Sequence, residues 1–463
     1  MSSYVHTAAP AWHRVRERAG VRTLPLMVFV AAHVPLALAV QRSTLIATIY
    51  AVSTIALGLW WALFARRLSL MAAMALYIAA AETLWRMNSA DVFWEAGKYA
   101  LVAILGLTLL RASRRLRNVR LPVLYFLLLA PSVLLTVSAL EFSSARQEIS
   151  FNLSGPLTLA VCLVFFSSIR LQRSDAQLLL WGAIAPTVGV ATATVSSILS
   201  SGGIEFTQES NFAAAGGFGP NQVSDALGLG ALLCLFLLLR ERRLHLRLAA
   251  FALMVWFTTQ ALLTFSRGGV YNLLVAFGLV ALHYLAVRRG RWVLLTAVAL
   301  LGLISASYLV PRLIAGTEGQ LQARYQDVEG ANRLAIMREE IDIWLEHPLF
   351  GVGPGMAKYE RADLSEAVVS THTEFTRMLA EHGVAGLLAM ILLLVMVLES
   401  YRRARTVIDK AWVAGMAAWA LTAMLHSATR IAAIPLVLGL AAIRWREDSP
   451  VDRSQPSRAI HSR

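Results

Sequence analysis

His372, in the stretch Ser370-Thr371-His372-Thr373-Glu374-Phe375, is the side chain best suited to move a proton. An unperturbed imidazole titrates at about 6.5, close enough to neutrality to serve as a base or an acid. An interfacial or capping histidine is the plainer reading of the same residue. His382 follows 10 residues later. Two metal ligands on one helical face need a spacing of about 3–4, so zinc is not expected. Three arginines have the chemistry to hold an anion. Arg267 lies in Thr264-Phe265-Ser266-Arg267-Gly268-Gly269, where glycines let the backbone approach closely and the guanidinium presents a fork of donors that fits a phosphate; a snorkelling arginine in a tight turn is the alternative. Arg333 follows Asn332 at the start of an amphipathic segment. A helix N-terminus attracts anions there, unless Asn332 merely caps the helix and Arg333 is solvated. Arg430, after His426, either adds to an anion site or anchors a helix end. Asn221 closes Gly216-Gly217-Phe218-Gly219-Pro220-Asn221 and either caps the next helix or hydrogen-bonds a sugar. Asn221, Asn332 and Glu374 are the substrate-binding candidates.

Other familiar chemistry is missing from the sequence. It has no Walker A motif, no Asp-x-Asp pair, no Gly-x-Ser-x-Gly elbow and no His-Glu-x-x-His. An enzyme built on these residues therefore needs a donor that has been activated elsewhere. Glu82 with Arg86 and Glu95 with Lys98 are spaced for mutual neutralisation on neighbouring helices and read as structural.

The elements that must position these residues are apolar helices. The chain of 463 residues is 57% hydrophobic and only 15% charged, with mean hydropathy +0.60. Ordinary soluble domains run at about 45–50% apolar and about 25% charged. Here the apolar residues come in runs of roughly 20, enough to cross a bilayer core as a helix, and the bilayer offers no water to unpaired backbone groups. The expected fold is all-α and polytopic, with about 14 spans: 24–40, 44–64, 68–87, 92–110, 121–140, 154–169, 176–199, 222–239, 248–265, 268–287, 292–310, 380–399, 411–428 and 431–443. The basic segment up to Arg22 lacks a small-residue cleavage site before the first run, so a retained first span is expected. Cys162 and Cys234 lie inside apolar runs and define no disulfide framework.

Charge tests the topology. With the N-terminus in the cytoplasm, 29 of the 42 basic residues fall on the cytoplasmic side, among them the clusters Arg111–Arg120, Arg240–Arg247 and Arg402–Lys410. This is the positive-inside pattern repeated at each turn. The net charge of +14 is thereby explained by orientation and anionic lipid, and nucleic acid is not implied. The segment 311–379 differs from the rest: from Pro311 to Glu381 there are 12 acidic and 7 basic residues. It is expected to be an ordered loop on the outer side. An amphipathic helix near 331–346 carries Leu334, Met337, Ile341, Trp344 and Leu345 on one face. His347-Pro348 stops it, and Gly351, Gly353 and Gly355 then make a turn. The expected organisation is a cytoplasmic segment 1–23, spans 1–11 over 24–310, the outer loop 311–379, spans 12–14 over 380–443, and a disordered cytoplasmic tail 444–463.

Taken together and in order, several motifs resemble those of the O-antigen ligase and polymerase superfamily: Gly219-Pro220-Asn221, Phe265-Ser266-Arg267-Gly268-Gly269, Asn332-Arg333, His347-Pro348-Leu349-Phe350-Gly351-Val352-Gly353-Pro354-Gly355, and the stretch from His372 to Gly383 and Gly386. The resemblance covers about residues 210–390. It implies a bacterial inner-membrane glycosyltransferase that needs no metal or cofactor and has both termini in the cytoplasm and a periplasmic site. The donor would be a glycan on undecaprenyl pyrophosphate. The acceptor would be a sugar of the lipid A core for a ligase, or a second lipid-linked glycan for a polymerase of O-antigen or exopolysaccharide. Carried over, His372 would activate the acceptor hydroxyl, and Arg267, Arg333 and Arg430 would hold the departing pyrophosphate. Thr373 stands where the ligase pattern has Asn, Ser or Gln, so ligase and polymerase both stay open. A transporter of polysaccharide or lipid-linked sugar is the rival from another class. Transporters gather substrate residues near the midplane, whereas this chain gathers its unusual residues on one side.

Overall fold

The computed structural model describes residues 23–65, 67–111, 116, 118–200, 209–326, 331–361 and 373–446; of Arg289 and residues 331–333 it describes the backbone only. The helices are α1 (Thr23–Ala31), α2 (His33–Arg42), α3 (Thr44–Phe64), α4 (Leu68–Met87), α5 (Ala96–Arg111), α6 (Arg120–Leu127), α7 (Val133–Ala139), α8 (Phe142–Ser168), α9 (Asp175–Ser200), α10 (Pro220–Arg240), α11 (Leu244–Leu263), α12 (Arg267–Tyr284) and α13 (Arg288–Ile304). A π-helical turn at Ser305–Leu309 leads into α14 (Val310–Gly316), followed by α15 (Gln320–Gln326), α16 (Ala331–Glu346), α17 (Ala357–Glu360), α18 (Glu374–Arg403), α19 (Val407–Ala423) and α20 (Ala433–Ala441).

Among the described residues, nine helical stretches are long and apolar enough to cross a bilayer. The remaining expected spans are helical but short, broken or less apolar. The 92–110 segment forms α5, and 121–140 splits into α6 and α7 around Pro131. The 268–287 and 411–428 segments form α12 and α19, and 431–443 yields only the nine residues of α20. The interior of the bundle is built from α4, α9 and α10: 89% of the most apolar window of α10 is buried, against 11% for Gly290–Gly316. The latter therefore lies at the periphery, where its exposed Leu295, Val298 and Leu303 would meet lipid.

The all-α expectation needs one amendment. β1 (Arg170–Gln172) and β2 (Arg444–Arg446) form a two-stranded parallel ladder, with Arg170 opposite Arg444 and Gln172 opposite Arg446. The ladder ties the end of α8 to the end of α20.

Helix α18 starts at Glu374, ahead of the span expected from 380, and breaks at Gly383, whose φ of 61° and ψ of −140° only glycine adopts readily. The break frees backbone groups that the preceding loop satisfies. Val352 N–H donates to the Ala380 carbonyl at 2.9 Å, Gly353 N–H to the Glu381 carbonyl at 3.0 Å, and Val384 N–H to the Pro348 carbonyl at 2.8 Å. Buried polar backbone must be paired in this way. Side chains would prevent the interlock: a Cβ on Gly383 would lie 2.6 Å from the Leu349 carbonyl, and one on Gly351 would fall against the Ala380 carbonyl. The gap between α6 and α7 packs on the same break, with Ser132 Oγ 2.5 Å from His382 Nδ1 and Thr136 Oγ1 donating to the Pro354 carbonyl at 3.0 Å.

Helix α16 has the expected bounds. It buries Ile336, Glu340 and Ile343 against α17 and α18, while Leu334, Ile341 and Leu345 of the apolar stripe are exposed. The buried face is fixed by polar pairing, since Thr376 Oγ1 donates to Glu340 Oε2 at 2.5 Å and Arg361 lies 3.6 Å from the same carboxylate.

Candidate active site

The first turns of α18 carry Glu374, Arg377 and Glu381 at spacings of three and four, so all three share one helical face. Thr373 caps the helix, its hydroxyl accepting from Phe375 N–H at 3.2 Å and Thr376 N–H at 3.4 Å. The three charged side chains are buried. Arg377 bridges Glu374 and Glu381, each at 2.7 Å, and also donates to the Asn152 side chain at 3.3 Å. Buried ions persist only when paired and hydrogen-bonded. Glu374 has two more donors, Thr429 N–H at 3.2 Å and Thr429 Oγ1 at 3.1 Å. This carboxylate therefore joins the start of α18 to the turn between α19 and α20.

Those groups wall a small polar cleft together with Glu148, Lys358 and Arg430. Lys358 Nζ lies 2.5 Å from Glu148 Oε1. Burial, with the Arg377 guanidinium nearby, brings the Arg430 guanidinium down to about 10. An anion in the cleft would favour its charged form. The Arg430 backbone is fixed from behind: Arg86 donates to the Arg430 carbonyl at 3.2 Å and pairs with Glu82 at 2.8 Å, and Glu82 accepts from Ala432 N–H at 2.6 Å. The Glu82–Arg86 pair is structural, as expected, and its task is to hold this turn. Lys98 feels the charges of Glu82 and Glu95 and stands over the Phe151 ring, 5.9 Å from its centroid.

The Arg267 turn belongs to the same end of the bundle. Arg267 opens α12, and the preceding Phe265 takes a left-handed φ of 56°. Ser266 Oγ donates to Asn221 Oδ1 at 2.7 Å. Next to Asn221, Gln222 accepts from Arg86 at 3.2 Å, so a chain of polar contacts runs from the Arg267 turn to the Arg430 turn. Asn221 does not cap α10; Gly219 holds the cap position, and Pro220 opens the helix, as proline does well. Gly268 and Gly269 serve helix packing, since Cβ atoms there would strike the His426 ring and Ser224. The underlying joint is Asp225, fully buried, which accepts from His426 Nε2 at 3.0 Å, Ser427 Oγ at 2.6 Å and Asn272 Nδ2 at 2.7 Å.

The structure thus brings Glu374 and Arg430 into one cleft and links the turns that carry Asn221 and Arg267 to it through Gln222 and Arg86. His372 lies outside the described residues, and of Asn332 and Arg333 only the backbone is described, in the first turn of α16. Sequence reasoning missed Arg377, Asp225 and Arg324. Arg324 Nε donates to the Phe265 carbonyl at 3.2 Å and sets α15 beside the Arg267 turn. A charge inside an apolar span was a readable signal for Asp225; Arg377 fell in the segment expected as outer loop, and nothing in the local sequence marks Arg324.

No individually curated protein matches the chain. A family model described as O-antigen ligase matches residues 252–391. That stretch includes Arg267, Arg324, the α16–α17 segment and the buried charges of α18, while Asn221 and Arg430 lie outside it. Over residues 252–391 the chain is thus similar to the O-antigen ligase family.

Proposed function

We propose that the protein transfers a glycan from an undecaprenyl-pyrophosphate donor to a sugar hydroxyl on the lipid A core, at the periplasmic face of the inner membrane. His372 takes the proton of the acceptor hydroxyl as its oxygen attacks the donor's anomeric carbon. The bond from that carbon to the pyrophosphate oxygen breaks, and undecaprenyl pyrophosphate leaves with the bonding electrons. Arg267, Arg333 and Arg430 neutralise the charge that grows on the leaving group, while Asn221, Asn332 and Glu374 orient the sugars. Pyrophosphate is already a competent leaving group, so the work left to the protein is positioning and charge stabilisation.

One observation carries the reading: Arg430 lines a polar cleft joined to the Arg267 turn through Asn221, Gln222 and Arg86. Two potential phosphate ligands from distant parts of the chain are thereby held at one end of the bundle. Oriented groups fixed before the substrate arrives cost little reorganisation during reaction.

The test supplies the purified chain with lipid-linked repeat units, with and without lipid A core. Product that forms only when core is added supports ligation. Chains that lengthen without core would replace the ligase by a polymerase that uses the same donor. No transfer in either arm, with donor and acceptors shown competent by another transferase, would overturn the proposal.

A further inference from the structure

At the opposite end of the bundle lies a second concavity, of about 770 Å³. Helix α8 spans both sites, with Asn152 at the first cleft and Ser167 at the second. At a rise of about 1.5 Å per residue, these positions are roughly 22 Å apart along the helix. Six arginines line the second concavity: Arg170, Arg173, Arg403, Arg405, Arg444 and Arg446. Asp409 is the single carboxylate among its lining residues, and it is already engaged by Arg173 at 2.9 Å.

These arginines are not scattered over independent loops. The β1–β2 ladder sets Arg170 beside Arg444, and Arg173 N–H donates to the Arg446 carbonyl at 3.1 Å. With its amide oxygen turned inward, Asn118 accepts from Arg403 at 2.9 Å and from Arg444 at 3.1 Å. Arg240 buttresses the wall from outside, donating to the Arg173 carbonyl at 3.0 Å and stacking over Trp445 at 5.4 Å. A positive-inside bias requires basic residues on this side but not their convergence from three distant parts of the chain onto one cavity. Repulsion among them is relieved by an anion of matching charge. Guanidinium forks fit phosphate oxygens two at a time, and basic pockets between helices at the cytoplasmic surface are established headgroup sites.

We propose that this arginine pocket binds a ligand bearing two phosphates, either the headgroup of a bisphosphate lipid such as cardiolipin or a soluble diphosphate. Its occupancy clamps the ends of α8, α18 and α20 through the β-ladder. The proposal does not depend on the transfer reaction assigned to the other end.

The test uses the full chain in neutral detergent. Binding is read by native mass spectrometry and by the thermal unfolding midpoint, with cardiolipin, phosphatidylethanolamine and inorganic pyrophosphate as probes. Cardiolipin is expected to bind saturably and raise the midpoint, and phosphatidylethanolamine to do neither. The Arg170→Gln/Arg444→Gln/Arg446→Gln variant should bind roughly a hundred-fold more weakly, given the contribution of each arginine near an anionic headgroup. Pyrophosphate that displaces cardiolipin or stabilises the chain by itself identifies a soluble diphosphate as sufficient. Stabilisation by cardiolipin alone identifies the lipid. Equal binding of cardiolipin and phosphatidylethanolamine to the wild-type chain, with no pyrophosphate effect, overturns the proposal without any variant having to fold. Undiminished cardiolipin binding by a folded triple variant overturns it as well.

Discussion

At the scale of single residues, the site depends on charges placed where water is scarce. Arg377 holds Glu374 and Glu381, and Glu374 in turn holds Thr429. Arg377→Gln strands two buried carboxylates, for which a loss of about 3–5 kcal/mol is expected; the thermal midpoint in detergent reads it. Arg430→Gln removes a proposed phosphate ligand without stranding that pair. Its expected effect is a roughly ten- to hundred-fold fall in kcat/KM for the lipid-linked donor, the scale of a hydrogen bond to a charged group, with the acceptor KM unchanged. Initial rates at varied donor concentration check this. The shared helical face of Glu374, Arg377 and Glu381 was not read from the sequence, because the span was expected to start only at 380 and the helix starts at Glu374. Nor was the bond to Thr429, 55 positions away, because no local pattern encodes a turn brought back by two further helices.

At the scale of elements, apolar runs told where the helices are, since a bilayer leaves the backbone no other satisfactory state. Interruptions were less readable. The break in α18 is created by tertiary backbone pairing with residues 348–353, and glycines at 351 and 383 are its only local trace. Gly383→Ala should cost about 1–3 kcal/mol in backbone strain alone, with the contact to the Leu349 carbonyl added. A lowered unfolding midpoint together with lost transfer is the expected pair of results; a midpoint equal to wild type would show that the interlock does not bear on stability. The apolar stripe of α16 was legible but its facing was not. Tertiary pairing decides it, since Glu340 is drawn inward by Thr376 and Arg361 while Leu334, Ile341 and Leu345 face away.

At the scale of the whole molecule, the chain is polarised. One end gathers glutamates, arginines and the motif glycines; the other gathers six arginines around the β-ladder. From the positive-inside pattern, the second end is expected to face the cytoplasm. Single cysteines introduced at Lys358 and at Arg405, in a chain with Cys162 and Cys234 replaced, should then be labelled by an impermeant reagent from opposite faces of the membrane. Labelling of both from one face would remove the proposed topology. Polarity was legible from charge alone, whereas the convergence of the arginines required residues 170 and 444 to be seen side by side.

Glycosyl transfer with His372 as the proposed base is tested by the rate of glycan transfer by purified His372→Ala protein in liposomes carrying the lipid-linked donor, beside wild type with a matched unfolding midpoint. A loss of about 10²–10⁴ in rate is expected, the usual contribution of a general base. Transfer at the wild-type rate would remove His372 from the reaction.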